Sequence, residues 1–310
     1  KPTSIHDINA MVALYRPGPM ESIPAYIARK NDSELATYLD PRLKDILDRS
    51  YGIITYQDDV LEISINIAGY SWLEADKFRK AMGKKIPAEM AAQKERFKAG
   101  CLANHVKPDV IQSLWEQIET FAAYGFNRAH AVSYGNLAYK TAYMKANYPV
   151  DYMAALLTAD AGNVDKIGEI IAECKRMGIA ISPPSVNESK GNFTVASKKT
   201  IRFGLYSIKN FGTGVADSII AAREKKGLFA DIADFLARVP DKNLNKKSLE
   251  SLIQSGALDD LPAGRQGSSE RGELLANIDT LLNSHRELTK TPSNQVALFG
   301  AAGASRSKIT

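Results

Sequence analysis

Cysteine and histidine are scarce in this chain of 310 residues, which contains two cysteines and four histidines. Cys101 and Cys174 lie far apart and the histidines are scattered, so we expect neither a disulfide framework nor a zinc site. This composition fits a reducing, cytoplasmic setting. The sequence also lacks a signal-peptide pattern and any uninterrupted run of about 18 apolar residues, and it therefore predicts no membrane partner.

The motifs of several enzyme classes are missing as well. We find no Walker-type glycine-rich loop, no dinucleotide-binding fingerprint and no Ser-His-Asp order suited to a hydrolase. Two-metal phosphoryl transfer needs closely placed carboxylates on a rigid element. The candidate pairs are Asp58–Asp59, Asp231 with Asp234, and Asp259–Asp260. Because the sequence places no partner carboxylate beside any of them, we expect a chain that holds phosphates but carries no catalytic residue and no metal.

The residues that are present indicate a mainly helical globular protein. Hydrophobic residues make up 45% and charged residues 24% of the chain, and its length allows one large domain or two to three smaller ones. Apolar residues recur at helical spacing up to about residue 177, with a long helix expected over about 129–147. The segments NFTVA and TIRFGL predict a β-hairpin. The chain opens with Lys1 rather than Met, which suggests a piece of a longer protein.

The expected secondary structure and the composition change in the last third of the sequence. Two helical pairs are expected over 205–261, and the composition of AGRQGSSERG then indicates a flexible linker. One helix over about 272–288 and a loose tail complete the chain.

Basic residues are concentrated in the stretch 77–98. This stretch contains two acids, Glu89 and Glu95, and eight basic residues: Lys77, Arg79, Lys80, Lys84, Lys85, Lys94, Arg96 and Lys98. Four of these cations crowd around the expected helix break at Gly83, where they could converge on one phosphate together with free backbone N–H groups. The alternative is a solvated basic helix face, which is how charge runs usually behave.

The stretch NFGTG at 210–214 is more specific, because helix–hairpin–helix modules place such a turn between two helices. The turn and the second helix present N–H groups to a nucleic-acid phosphate without reading bases. The expected contacts with the DNA backbone are Lys209, Gly212, Thr213, Gly214, Ser218, Lys246 and Lys247. A second helical pair with lysines in its loop follows at once and favours this interpretation. A plain αα-hairpin also accepts glycine.

The stretch AYGFNRAHAVSYG at 123–135 gathers polar and aromatic side chains at the start of the long helix. If Asn127 caps that helix, Arg128 and His130 lie in its first turn and Tyr134 one turn further. An arginine at a helix N-terminus is unfavourable for the macrodipole, which would make sense if an anion sat there too. His130 could instead be an ordinary capping or core histidine, and tyrosines on a long helix are more often core residues than stacking platforms.

Five segments follow one another along the chain: ALYRPGPM, YGIITYQDDV, ADKFRKAMGKK, AYGFNRAHAVSYG and KANYPVDYMAALLTAD. Together they resemble the fingers domain of the bacterial DNA polymerase III α-subunit family, the C-family of replicative polymerases. GLYSIKNFGTGVADSIIAAR resembles the tandem helix–hairpin–helix module of that family, LNKKSLESLIQSGALDDL continues it, and QVALFG resembles the segment after it. The resemblance runs from residue 1 to about 300.

The resemblance implies a piece of an enzyme that extends a primer with deoxynucleotides. In the family, a palm domain upstream carries the catalytic aspartates and the Mg²⁺ ions, so this piece would hold no cofactor itself. The implied partners are primer–template DNA, deoxynucleoside triphosphates, the sliding clamp and other replisome subunits. The implied domains are the fingers over 1–190, the β-hairpin with the tandem helix–hairpin–helix module over 191–262, and a linker, short helix and tail over 263–310.

The resemblance also assigns residues to the nucleotide. The basic motif would contact the triphosphate, and further groups would line the nucleotide and template face. The full set is Arg79, Lys80, Lys84, Lys85, Arg16, Tyr56, Gln57, Asn127, Arg128, His130 and Tyr134. The family often has two arginines where this chain has Arg79 and Lys80, and lysine keeps the charge but loses the bidentate fork. Two alternatives stay open: a non-catalytic DNA-binding scaffold, and an error-prone, repair-associated member of the same family.

Overall fold

A computed structural model of the chain describes residues 1–84, 87–122, 125–239, 244–261 and 269–290. Fifteen α-helices and one three-stranded sheet lie within these ranges, which confirms the mainly helical fold. Lys85, the expected linker up to residue 268 and the expected tail from residue 291 lie outside the described residues. The chain divides into two compact units, residues 1–143 and 144–310. The domain boundaries expected at 190 and 262 stay a prediction.

The first unit consists of helices joined by short connections. They are α1 Ile5–Leu14, α2 Ile23–Asn31, α3 Leu43–Leu47, α4 Gln57–Asn66, α5 Trp72–Lys84, α6 Pro87–Ala103, α7 Pro108–Ala122 and α8 Arg128–Asn147, which continues into the second unit. Short 3₁₀ turns lie at Pro19–Ser22, Ser33–Leu35 and Asp48–Ser50. Helix α8 confirms the long helix predicted over about 129–147, whereas α3 was not predicted.

An aromatic cluster lies at the centre of the first unit. The indole of Trp115 on α7 stacks on Phe78 of α5 with ring centroids 5.6 Å apart, and Phe97 of α6 contacts the same indole at 5.6 Å. All three side chains are fully buried. The stacked rings fix the spacing of α5, α6 and α7, since aromatic pairs add directional contacts to their burial.

The second unit contains the remaining helices and the sheet. The helices are α9 Pro149–Ala159, α10 Val164–Arg176, α11 Thr213–Lys226, α12 Ile232–Arg238, α13 Lys246–Ser255, α14 Ser269–Ala276 and α15 Ile278–Lys290. The strands are β1 Ala180–Ser182, β2 Thr194–Ser197 and β3 Thr200–Arg202. Helices α11 to α15 share one apolar core that includes Phe229, Phe235 and Leu252.

The sheet has the strand order β1-β3-β2. Strands β2 and β3 form the expected antiparallel hairpin. Strand β1 was not expected: it pairs in parallel with β3, with Ile181 opposite Ile201. It consists of only three residues and follows the glycine turn at Gly178, where φ is +72°, so no alternating pattern marks it in the sequence.

The single helix expected over 272–288 is wrong, because the structure divides it into α14 and α15 at Asn277. The side-chain Nδ2 of Asn277 donates to the carbonyl of Glu273 at 2.9 Å. The backbone N–H of Asn277 donates to the same carbonyl at 3.0 Å. The division lets Ile278, Leu281 and Leu282 of α15 enter the apolar core.

Two helical glycines differ sharply in the space around them, and this difference is testable. A Cβ on Gly100 of α6 would lie 1.9 Å from the carbonyl oxygen of Ala68, whereas a Cβ on Gly168 of α10 would meet nothing within 4 Å. We expect Gly100→Ala to lower the free energy of unfolding by roughly 1–3 kcal/mol through overpacking. Gly168→Ala should instead raise it by up to about 1 kcal/mol, since alanine is the better helix former.

Urea unfolding of the two variants beside the parent chain measures both effects. Equal stability of the Gly100→Ala and Gly168→Ala variants would contradict the close approach of α6 to Ala68.

Candidate functional site

The starts of α4 and α8 are joined by hydrogen bonds in the first unit. Asn127 caps α8 as expected, because its Oδ1 accepts the N–H of His130 at 2.8 Å. The N–H of Gln57 donates to the carbonyl of Phe126 at 2.9 Å. The carboxylate of Asp58 accepts the N–H of Arg128 at 3.1 Å. Two helix N-termini that are far apart in sequence are therefore held side by side.

Asp59 is the centre of this junction. The residue is 2% exposed, and its Oδ2 accepts the N–H groups of Thr55 and Tyr56, each at 2.8 Å. Its Oδ1 accepts Nη2 of Arg128 at 2.6 Å, and Glu62 accepts Nη1 of Arg128 at 3.2 Å. The anion expected beside Arg128 at the start of α8 is therefore supplied by the chain itself, as the carboxylates of Asp59 and Glu62 on α4.

The protonation behaviour of this pair follows from its surroundings. Burial raises the pKa of the Asp59 carboxyl, while the two N–H donors and the guanidinium act in the opposite direction. Burial alone would lower the pKa of Arg128, but Asp59 and Glu62 outweigh it and leave that pKa raised. Arg128 therefore stays a cation at every physiological pH.

A column of planar groups stands at the same junction. The guanidinium of Arg16 lies 4.4 Å above the ring of Phe126, the Phe126 and His130 rings are 5.5 Å apart, and the His130 and Tyr134 rings are 4.5 Å apart. His130 and Tyr134 are exposed. The guanidinium of Arg128 lies 5.4 Å from the ring of Tyr56, whose pKa burial raises to about 12. The residues at 16, 56–57 and 127–134 that were expected to contact the nucleotide therefore lie close together in the structure.

A pocket of about 550 Å³ opens beside this junction. Its walls include Tyr56, Asp59, Glu62 and Arg128, together with His6, Asn9, Arg49 and Asn136. Sequence reasoning missed Glu62, Arg49 and His6, and it considered Asp59 only as a metal ligand without partners. The i, i+3 spacing of Asp59 and Glu62 was the available signal, because it puts both carboxylates on one side of α4.

The basic cluster on α5 contains its own carboxylate. Nη2 of Arg79 lies 2.7 Å from Oδ1 of Asp76, and Nζ of Lys80 lies 2.7 Å from Oδ2 of the same residue. Lys80 and then Arg79 lower the pKa of Asp76. Lys84 is exposed at the end of the helix. All of these side chains are at least one-third exposed, so an incoming anion can exchange with Asp76 at low cost.

The first hairpin is the glycine turn between Leu205–Ser207 and α11, and it presents an open backbone. A three-residue 3₁₀ turn stands where a first helix was expected. Gly212, Thr213 and Gly214 are exposed, while Phe211 and Val215 on either side are buried in the second unit. Gly212 is the N-cap of α11 and has no side chain that could accept the first N–H groups of the helix. A Cβ on Gly212 or Gly214 would meet nothing within 4 Å, and neither residue has a positive φ. The fold of the chain itself therefore does not require glycine at these positions.

At the second hairpin, between α12 and α13, the described residues at the start of α13 are partly engaged within the chain. Asn245 caps α13 by accepting the N–H of Ser248 at 3.1 Å. Nζ of Lys246 lies 2.9 Å from Asp279 of α15, whereas Lys247 is exposed. The loop residues 240–243 lie outside the described residues. Of the other expected backbone contacts, Lys209 is exposed and Ser218 is half-buried.

Two kinds of site are absent from the part of the chain that the structure describes. No helix there is both long and apolar enough to cross a bilayer. No group of three or more His, Cys, Asp or Glu residues there is arranged to hold a metal ion.

Two parts of the chain match known protein families. Residues 1–105 match the family described as the bacterial DNA polymerase III alpha subunit finger domain, and residues 178–268 match the helix-hairpin-helix motif.

Proteins that are similar over most of this chain support these two matches. The chain is 43% identical over 91% of its length to the DNA polymerase III subunit alpha of Thermus aquaticus, and 42% identical over 96% to that of Bacillus subtilis. It is 40% identical over 97% of its length to that of Pasteurella multocida. The chain covers 23%, 26% and 26% of these three relatives, so it spans about a quarter of their length. The chain therefore belongs to the bacterial DNA polymerase III α-subunit family, as a segment that contains the finger domain and the helix–hairpin–helix motif.

Proposed function

We propose that this chain is the nucleotide-positioning and duplex-gripping segment of a replicative DNA polymerase, which extends a primer with deoxynucleoside triphosphates in the cytoplasm. The open glycine turn at the start of α11 carries the proposal for DNA. The fold of the chain does not require glycine there. The remaining physical reason for glycine is the close approach of a DNA backbone. Free N–H groups at a helix start favour a phosphate.

The proposed triphosphate contacts are the cations of α5 and of the α4–α8 junction. Arg79 and Lys80 share one exposed carboxylate, and a triphosphate with several negative charges competes well for both cations. Arg128 would face the nucleotide as a fixed cation, because Asp59 and Glu62 orient its guanidinium. Such positioning is most of what phosphoryl transfer asks of the protein around the metal ions.

The carboxylates of Asp58 and Asp59 at the α4–α8 junction do not suit Mg²⁺. Both oxygens of Asp59 are occupied by N–H donors, and Asp58 accepts the N–H of Arg128. Mg²⁺ demands near-octahedral oxygen ligands, which these engaged groups cannot supply. We therefore assign the Mg²⁺ ions of the polymerase to other parts of such a subunit, and from the family resemblance we assign its catalytic carboxylates and its sliding-clamp and replisome contacts there too.

The duplex contact is tested by filling the open turn. We expect the variant Gly212→Val/Gly214→Val to bind duplex DNA roughly 10- to 100-fold more weakly, because the β-branched side chains keep phosphates away from the N–H groups. Fluorescence anisotropy with labelled duplexes measures the affinity. Gly168→Val, at a helical glycine with equally open surroundings, is the matched control and should bind as the parent does. Unchanged affinity of the double variant would refute the glycine turn as the contact.

The triphosphate contact is tested in a complete α subunit that contains this segment. We expect Arg79→Ala to raise KM for the nucleotide and to lower kcat, with a loss of roughly 10- to 100-fold in kcat/KM, because a charge-assisted contact is removed. Affinity for primer–template DNA should hardly change. Arg176→Ala is the control, since Arg176 pairs with Glu173 at the same i, i+3 spacing on α10. Nucleotide kinetics that match the parent enzyme would exclude this role of Arg79.

A further inference from the structure

Helix α8 has few buried residues on which it can rest. Between Arg128 and Tyr143 only Ala131 and Gly135 are buried, and residues 136–140 are all exposed. The start of the helix is held at Arg128 by the carboxylates of α4. Gly135 lies seven residues further along, about 10 Å from that anchor along the helix axis. A small displacement at Gly135 would therefore tilt the helix about its anchored start.

Gly135 meets α1 at Asn9. A Cβ on Gly135 would lie 2.0 Å from Oδ1 of Asn9, which is far closer than a real Cβ atom tolerates. The backbone nitrogen of Asn9 would be 3.3 Å away, a tight but possible contact. The Asn9 side chain, rather than the backbone of α1, is therefore what excludes a larger residue at position 135.

Hydrogen bonding does not explain the Asn9 side chain. Asn9 is 5% exposed, and its Oδ1 is buried without a hydrogen-bond partner among the residues that the structure describes. An unpaired buried oxygen costs free energy, so an apolar side chain would contribute more to stability here. A buried polar group of this kind needs an explanation other than stability.

His130 and Tyr134 lie on the part of α8 that the two contacts hold. His130 is between Arg128 and Gly135, and Tyr134 directly precedes Gly135. Their rings are 4.5 Å apart, and both side chains are exposed. Any tilt of α8 at Gly135 moves these two rings relative to α4.

We propose that Asn9 and Gly135 are positioning residues of the polymerase. Together with the Arg128 pair, their contact fixes the tilt of α8 and so places His130 and Tyr134 against the incoming nucleotide. Neither Asn9 nor Gly135 has to contact the nucleotide. This inference rests on the proposed function, in which the two rings line the nucleotide face. A misplacement of about 1 Å at a distance from the chemistry can cost about 100-fold in rate.

A double-mutant cycle in a complete α subunit that contains this segment tests the contact. We expect Gly135→Ala to lower kcat/KM for the nucleotide by roughly 10- to 100-fold, mainly through a higher KM, because the added methyl group pushes α8 away from Asn9. The variant Asn9→Ala/Gly135→Ala should recover most of this loss, since the methyl group then takes the place of the Asn9 oxygen. Gly168→Ala is the matched control, because a Cβ there meets nothing within 4 Å, and its kinetics should equal those of the parent.

Urea unfolding of the 310-residue chain with the same substitutions separates positioning from folding. Asn9→Ala should unfold at the same urea concentration as the parent or at a higher one, because Oδ1 has no hydrogen bond to lose and alanine is the better helix former. The same variant should nevertheless raise KM for the nucleotide in the complete subunit, since α8 loses the side chain on which it rests. Asn9→Ala therefore decides the matter if Gly135→Ala does not fold.

Two results would overturn the proposal. One is parental nucleotide kinetics of Gly135→Ala, or of Asn9→Ala where Gly135→Ala does not fold. The other is a double variant that folds but recovers none of the lost kcat/KM. If Arg79→Ala keeps the parental kinetics while the cycle at Asn9 and Gly135 behaves as expected, the triphosphate contact on α5 fails and the positioning role stands. Failure of the two proposals is thus distinguishable.

Discussion

The burial of the Asp59 carboxylate is the constraint on which the first unit depends. A buried carboxylate needs donors, and Asp59 obtains them from the backbone at the start of α4 and from the guanidinium of Arg128. Arg128 is 37% exposed, so its removal should cost less than the roughly 3–5 kcal/mol typical of a fully buried ion pair, although the Asp59 charge would lose its cation. The position and direction of α8 follow from this pair, and with them the column from Arg16 to Tyr134.

The cations of the chain fall into two classes by the burial of their partners. Arg128 pairs with a carboxylate that is 2% exposed, so it cannot leave that partner cheaply. Arg79, Lys80 and Lys246 pair with carboxylates that are 39% exposed or more. Surface pairs of this kind contribute about 0–1 kcal/mol each, which a phosphate can readily replace. The exposed pairs therefore provide cations that a phosphate can take over, whereas Arg128 can meet a phosphate only while it stays paired with Asp59.

Much of the fold could be predicted from local pattern. The capped start of α8, the two helices α5 and α6, the β2–β3 hairpin and the turn before α11 all carry short-range signals in apolar spacing, prolines and glycines. Strand β1 and the division at Asn277 could not, because three residues show no period and a single asparagine is common within helices.

The candidate site was predictable only in part. The residues of the α4–α8 junction could be named one by one, but not their pairing, since 69 residues separate Asp59 from Arg128. The i, i+3 pair of Asp76 with Arg79 was within reach of sequence spacing, and it changes the interpretation of the basic cluster from free cations to exchangeable ones.

If this chain recognises nucleic acid through its phosphates, its affinity for duplex DNA must depend on salt. The affinity of the 310-residue chain for two duplexes of unrelated sequence would be measured over a series of salt concentrations. We expect equal affinities and parallel lines of log affinity against log salt, with a slope of about 0.9 per phosphate contacted. Affinity that does not change with salt, or that differs strongly between the two sequences, would contradict it.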